Sequence, residues 1–247
     1  LAGMMSNKSR ILVKKAGAFI EPLLNTPQKG SVIGVTSKGV FLLFSSRVIF
    51  LTSEAAGNPF MLQVQASDDM PVGIGMGQEV TLHERTLGIA GVDYFCPRNI
   101  EVVPKPLALS SSADLRSHVH ERLLALFQLL NRPVHKDSFL FLAGALLDQD
   151  VLLDERSQTL LEAVRRLQAG VLHSNLEECQ RAMTSLIGNG KGLTPSGDDF
   201  LCGFLLIKNC LPDIGYPDAD FLERLNRTAI ELASTRSTWI SANMIEA

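Results

Sequence analysis

The stretch GNGKGLTPSGDDFLCGFL, residues 188–205, gathers four glycines, a lysine, two hydroxyls, a proline and two adjacent aspartates into its first twelve positions, then turns apolar. These residue types suit capture of an oxyanion. At a helix start several backbone N–H groups lack intrahelical partners and the macrodipole presents its positive end, so an anion binds where glycines let it approach. Gly190, Gly192 and Gly197 provide that access and Lys191 adds a point charge. Asp198 and Asp199 differ by about 100° around a helix axis, so one can hold a hydrated Mg2+ ion while the other orients the loop or accepts a proton. The bland alternative is a well-capped helix, because an aspartate in a first turn stabilises any helix by about 0.3–1 kcal/mol. The order is neither that of a Walker loop nor that of a dinucleotide loop, which must follow a strand.

A helix must present this stretch. Leu186 and Ile187 end one helix, and Gly188 stands where a left-handed C-cap belongs. The next helix begins either with Thr194 as N-cap and Pro195 at its first position, or with a Ser196–Asp199 capping box. Further along, Thr235, Arg236, Ser237, Thr238 and Ser241 place hydroxyls and a cation on a late helix, with Thr238 and Ser241 three apart on one face and able to line the same pocket. Other clusters read as structural. His118 and His120 lie two apart, on opposed faces, and His83, His135 and His173 stand alone. Asp68 and Asp69, with the glycine run that follows, fit turns between strands. Arg165 and Arg166 fit a solvated helix face, and Cys96, Cys179, Cys202 and Cys210 lack the spacing of a zinc site.

Stepping outward along the chain, residues 10–103 carry short runs rich in β-branched and aromatic residues: SVIGVTS, GVFLLFS, RVIFLTS, FMLQVQA, QEVTLH, TLGIAGV and NIEVV. They predict a small antiparallel barrel or sandwich, with a tight hairpin at TSKGV whose Gly39 supplies a positive φ. VPKPLALSSS, residues 103–112, marks the boundary. Beyond it the apolar period lengthens to between three and four, which predicts about seven helices. The expectation is therefore α+β: a mainly β domain over 1–106, then a helical domain over 107–247 carrying the glycine-rich motif.

Lys and Arg number 23 against 26 Asp and Glu, a net charge of -3, so no global positive field gathers nucleic acid. No run approaches the length of a membrane span. The opening LAGMMSNKSR has no apolar segment of the secretory kind, which leads to the expectation of a cytoplasmic protein, and the last helix reaches Ala247 without a cap, as if the natural chain were longer.

GKGLTPSGDDFLCGFL resembles the signature of a bacterial family that includes the AllH-type subunit of oxamate carbamoyltransferase, from anaerobic allantoin breakdown. GSVIGVTSKGVFLLF with RVIFLT is similar to that family's N-terminal β region, and TRSTWISANMIEA to its Ser/Thr-rich helix after the signature. The resemblance implies phosphorolysis of oxalurate to oxamate and carbamoyl phosphate, or the reverse, by an assembly with other protein subunits. On that reading Gly190, Lys191, Gly192, Thr194 and Gly197, with Thr238 and Ser241, bind a small anion of the phosphate or carbamoyl phosphate class. Ser196 orients the substrate or the oxyanion, and Asp198 and Asp199 handle metal or protons. The alternative is a non-catalytic assembly or regulatory subunit that binds a small anion and docks on a catalytic partner.

Overall fold

The structure, a computed structural model, describes residues 9–55, 57–104, 152–210 and 219–246, with the single positions 139, 142 and 146. The described residues fall into two compact units, one within 1–105 and one within 106–246. The architecture is α+β, a β-barrel unit followed by a helical one.

The first unit holds β1 (Ser9–Gly17), β2 (Gln28–Thr36), β3 (Gly39–Phe44), β4 (Arg47–Thr52), β5 (Met61–Val64), β6 (Glu79–His83), β7 (Thr86–Ile89), β8 (Val92–Phe95) and β9 (Glu101–Val103). Their order is β5-β4-β3-β2-β6-β7-β8-β1-β9, and pairing of β5 with β1 closes eight strands into a barrel with β9 added beside β1. The expected antiparallel pattern needs a correction, because β1 runs parallel to β8 and β9, and β4 parallel to β5. The closing strand β1 was absent from the sequence expectation. Its apolar SRILVKKAG run has no clean alternation, since it changes neighbours along its length, pairing with β8 through Ser9–Leu12 and with β5 and β9 from Val13 onward. Alternation is clear elsewhere: Val80 and Leu82 of β6 and Val40, Leu42 and Phe44 of β3 are buried inside the barrel.

Three hairpin turns take positive φ, at Ser45, at Glu84 and Arg85, and at Ala90 and Gly91; the last splits the expected TLGIAGV strand into β7 and β8. The TSKGV hairpin forms, but Gly39 is not its positive-φ residue. A Cβ there would lie 2.3 Å from the Leu51 carbonyl oxygen, so glycine serves close strand approach, while Thr36 Oγ1 accepts the N–H groups of Lys38 and Gly39. At the Glu84–Arg85 tip, the buried Arg85 guanidinium donates to the carbonyl oxygens of Cys96 and Pro97 and to Glu21 and Asn25 in the short 3-10 turn Glu21–Asn25.

The helical unit contains, among the described residues, α1 (Glu155–Leu172), α2 (Leu176–Leu186), α3 (Ser196–Cys210), α4 (Ala219–Arg236) and α5 (Trp239–Glu246). The remaining predicted helices, with His118, His120 and His135, lie outside the described residues apart from Phe139, Leu142 and Leu146, which join the helical core. Asp154 and Asn175 cap α1 and α2 by accepting the N–H groups of Ser157 and Glu178. Buried faces repeat at helical spacing: Leu160, Val164, Leu167 and Val171 of α1 meet Cys179, Ala182, Met183 and Leu186 of α2, with Leu201 and Leu205 of α3 and Leu225, Ala229 and Ala233 of α4. No helix among the described residues is long and apolar enough to cross a membrane.

Candidate functional site

The stretch 188–205 is a loop between α2 and α3 followed by α3 itself. Ile187 caps α2 and Gly188 takes φ +76°, the left-handed conformation expected of it. The helix starts between the two sequence alternatives, one residue after the first and one before the second. Ser196 is its first residue and the Pro195 carbonyl accepts the N–H groups of Asp198 and Asp199, so Pro195 stands in the N-cap position. Thr194, expected as an N-cap, instead hydrogen-bonds the Asp199 carboxylate.

The aspartates part as their angular separation requires. Asp198 shares the inward stripe of α3 with Leu201 and Leu205 and is 1 % exposed. Its Oδ1 accepts the Gly188 N–H at 2.7 Å and its Oδ2 accepts the Ser237 hydroxyl in a short hydrogen bond. Asp199 is exposed. Burial of its inner edge by α3, then the charge of Asp198, raises its pKa, and the Thr194 bond offsets part of that rise. Of the two parts the sequence allows, ligand or proton handling at one acid and loop orientation at the other, loop orientation falls to Asp198, whose two oxygens are already engaged inside the fold and not open to a metal or substrate. As a Mg2+ site the pair fits only in part. Asp199 offers the single carboxylate that a hydrated ion commonly uses beside substrate phosphates. Among the described residues no three His, Cys, Asp or Glu side chains group around a common point.

The glycines differ in what they do. Gly197 is glycine for packing: a Cβ would lie 1.9 Å from the Leu186 carbonyl oxygen, and its N–H is taken by the Asn189 carbonyl at 2.8 Å. Its amide is thus spent within the fold, which corrects its expected part in anion binding. Gly190 has φ +132° and a Cβ would sit 2.5 Å from the Ser196 nitrogen, so the loop folds back against the start of α3. Gly192 has φ +93° and open space where a Cβ would be. The N–H groups of Gly190 and Gly192 make no hydrogen bond among the described residues. Lys191, between them, is exposed.

Ser237 and Thr238 do not continue a helix; they form the joint between α4 and α5. Thr238 Oγ1 accepts the Ser241 N–H at 3.1 Å and donates to the Leu193 carbonyl at 2.6 Å. Thr238 and Ser241 are thus cap and third helical residue rather than neighbours on one face, because a threonine hydroxyl competes for free N–H groups at a helix start. Ser241 is 1 % exposed, with no hydrogen-bond partner for its Oγ among the described residues, so its hydroxyl faces packed protein rather than a solvent-side ligand. Thr235 bonds back to its own helix through the Glu231 and Leu232 carbonyls.

Sequence reasoning missed Arg156 as part of this constellation, and it named Ser237 without its partner Asp198. Arg156, on the first turn of α1, donates to Asn189 Oδ1 at 2.9 Å, and Arg236 donates to the Thr184 carbonyl at 3.3 Å, so three exposed cations, Arg156, Lys191 and Arg236, belong to or hold the loop and its flanks. An arginine in a first turn opposes the helix dipole, a signal that it serves another partner. The remaining clusters are structural. Asp69 accepts the Ala66 N–H and, through its carbonyl, the Tyr94 hydroxyl; Gly73 and Gly77 take positive φ in the loop beyond. Arg166 pairs with Glu162 and Glu178. His83 and His173 are exposed at element ends, and all four cysteines are free thiols.

Neither the curated proteins nor the solved structures provide a match to this chain. A family model does, over the segment that builds the loop, α3 and the α4–α5 joint, and over none of the β unit. Residues 186–247 match the family described as oxamate carbamoyltransferase subunit AllH, so this segment of the chain is similar to that family.

Proposed function

We propose that this protein is a subunit of a carbamoyl-transferring assembly that interconverts oxalurate plus phosphate with oxamate plus carbamoyl phosphate, and that it binds the anionic substrate at the 190–194 loop. The observation that supports this most is a coincidence of place. The residues matched to the family include the loop whose Gly190 and Gly192 amides, on either side of Lys191, have no acceptor among the described residues. In phosphorolysis a phosphate oxygen bonds to the carbamoyl carbon, the bond from that carbon to the oxamate nitrogen breaks, and the nitrogen takes a proton. Such a step needs the phosphate fixed against the carbon and donors for the oxyanion formed on attack. The loop amides and Lys191 supply the fixing. Thr194 and Ser196, at the mouth of α3, orient the substrate. Asp199, its carboxyl raised toward the protonated form, gives or takes the proton. Were Mg2+ bound, Asp199 would instead be the ionised carboxylate that holds it, and the ion would supply neutralisation of phosphate charge. Asp198 supports the site from inside.

A second reading is favoured by one feature: Asp198, one of the expected catalytic groups, is buried with both oxygens engaged, as suits an anion-binding assembly subunit whose partner performs the chemistry. The assembly separates the two. Oxamate and carbamoyl phosphate formation by the chain with its partner subunits should fall at least about a hundredfold in Asp199→Asn, the scale of a lost proton-transfer group. Unchanged turnover in that variant assigns the chemistry to the partner.

A further inference from the structure

We propose that Ser237 and Thr238 are positioning residues, a two-hydroxyl latch through which the α4–α5 joint sets the shape of the anion loop; the inference rests on the anion-site reading above and concerns that site's regulation. Two adjacent side chains hold the loop on either side of Gly190–Gly192. Ser237 donates to Asp198 Oδ2, and Asp198 Oδ1 holds the Gly188 N–H at 2.7 Å, which fixes the loop's first end. Thr238 donates to the Leu193 carbonyl at 2.6 Å, which fixes its second. The backbone adds a third hold: a Cβ on Gly188 would lie 2.7 Å from the Arg236 carbonyl oxygen, so the loop begins against the last turn of α4.

Helix formation alone does not require either hydroxyl to donate. A cap requires only that Thr238 Oγ1 accept the Ser241 N–H, which it does. The hydroxyl hydrogen is then free to point away from α5, and it is directed to the loop carbonyl. Ser237 likewise turns to a carboxylate on a different helix rather than to its own backbone. Because the latch residues sit where one helix stops and another starts, a tilt of α5 displaces Thr238 and Leu193 together and reorients the amides between Gly190 and Gly192. A partner subunit that docks on α5 would thereby tune anion affinity without touching the anion.

The test uses the full chain, amide-resolved NMR and inorganic phosphate as probe, with paired substitutions: Ser237→Ala against Ser237→Thr, and Thr238→Val against Thr238→Ser. In ligand-free protein the hydroxyl-deleting variants should shift the Gly190 and Gly192 amide signals and speed their hydrogen exchange, with exchange in α1 unchanged, and the hydroxyl-keeping variants should restore both. Phosphate affinity should fall about tenfold in the deleting variants, the scale of one positioning hydrogen bond. Loop signals that stay in place in Ser237→Ala and Thr238→Val would overturn the latch, as would exchange that rises uniformly across the helical unit. If the unaltered protein shows no phosphate response, the anion reading fails on its own, and the ligand-free signals still decide the latch.

Discussion

Arg85 and Asp198 are the two buried charged side chains among the described residues, one in each unit, and they meet the cost of burial in the same way but to different ends. An isolated buried charge costs several kcal/mol, so each is surrounded by hydrogen-bond partners. Arg85 directs four of its five N–H donors to acceptors in its own unit and closes a hairpin tip onto the turn beside it. Asp198 also closes its bonds, to Gly188 and Ser237, yet the loop it supports presents the amides of Gly190 and Gly192 and stands beside an exposed acid. A satisfied buried charge is therefore no mark of a site. What sets Asp198 apart is that the loop it fixes carries N–H groups, those of Gly190 and Gly192, that make no hydrogen bond among the described residues.

The largest effects should be equal in the two units. Arg85→Ala and Asp198→Ala each strand partners inside the fold and should cost about 3 kcal/mol in urea denaturation. A near-neutral Asp198→Ala would break the comparison at its root, because it would mean that the clamp on Gly188 and Ser237 holds nothing. Next come the glycines. Gly192 and Gly73 both have positive φ and open space where a Cβ would be, so alanine at either should cost about 1 kcal/mol from backbone strain. The pair sharpens the comparison through phosphate: its protection against thermal unfolding should be weakened by Gly192→Ala and untouched by Gly73→Ala.

A smaller effect concerns pH. Asp199 has its pKa raised by burial and by Asp198, so its protonated form is favoured on folding. That stabilising contribution is present below the ordinary aspartate value and is lost as pH rises through the raised one. Asp199→Asn should therefore melt above the unaltered protein at neutral pH, with the gap closing as pH falls below the ordinary aspartate range. Thermal scans across pH check the sign. The smallest contrast is among thiols. Burial pushes Cys96 up to about 12 in the barrel and Cys179 up to about 11 in the helical unit, so neither should react with a thiol reagent at neutral pH in the native protein. Mass spectrometry after brief labelling reads this directly.

The change of apolar period from two to between three and four announced the two kinds of architecture, and the glycine after Ile187 announced the end of α2. The barrel's closure was hidden because β1 alternates partners, and partner identity is a long-range property that a local apolar pattern does not encode. Within the site, the angular separation of Asp198 and Asp199 was legible; which faces inward was left open, although Asp198 precedes Leu201 by three and Leu205 by seven, the spacing of a core stripe. The parts not legible are those made across the chain. Ser237 meets Asp198, and Thr238 meets Leu193, only because α4 and α5 return to the mouth of α3. Gly197 looked like an anion contact, and only the Leu186 carbonyl packed against it reveals its packing role.

The central claim is that donors near Gly190–Gly192 are left open for an anion. The most direct measurement is titration of the full chain with inorganic phosphate while every backbone amide is followed by NMR. The account expects saturable shifts at Gly190, Lys191 and Gly192, with none at Gly73, Gly77 or Arg85. Absence of any saturable shift in the 190–194 loop would contradict it.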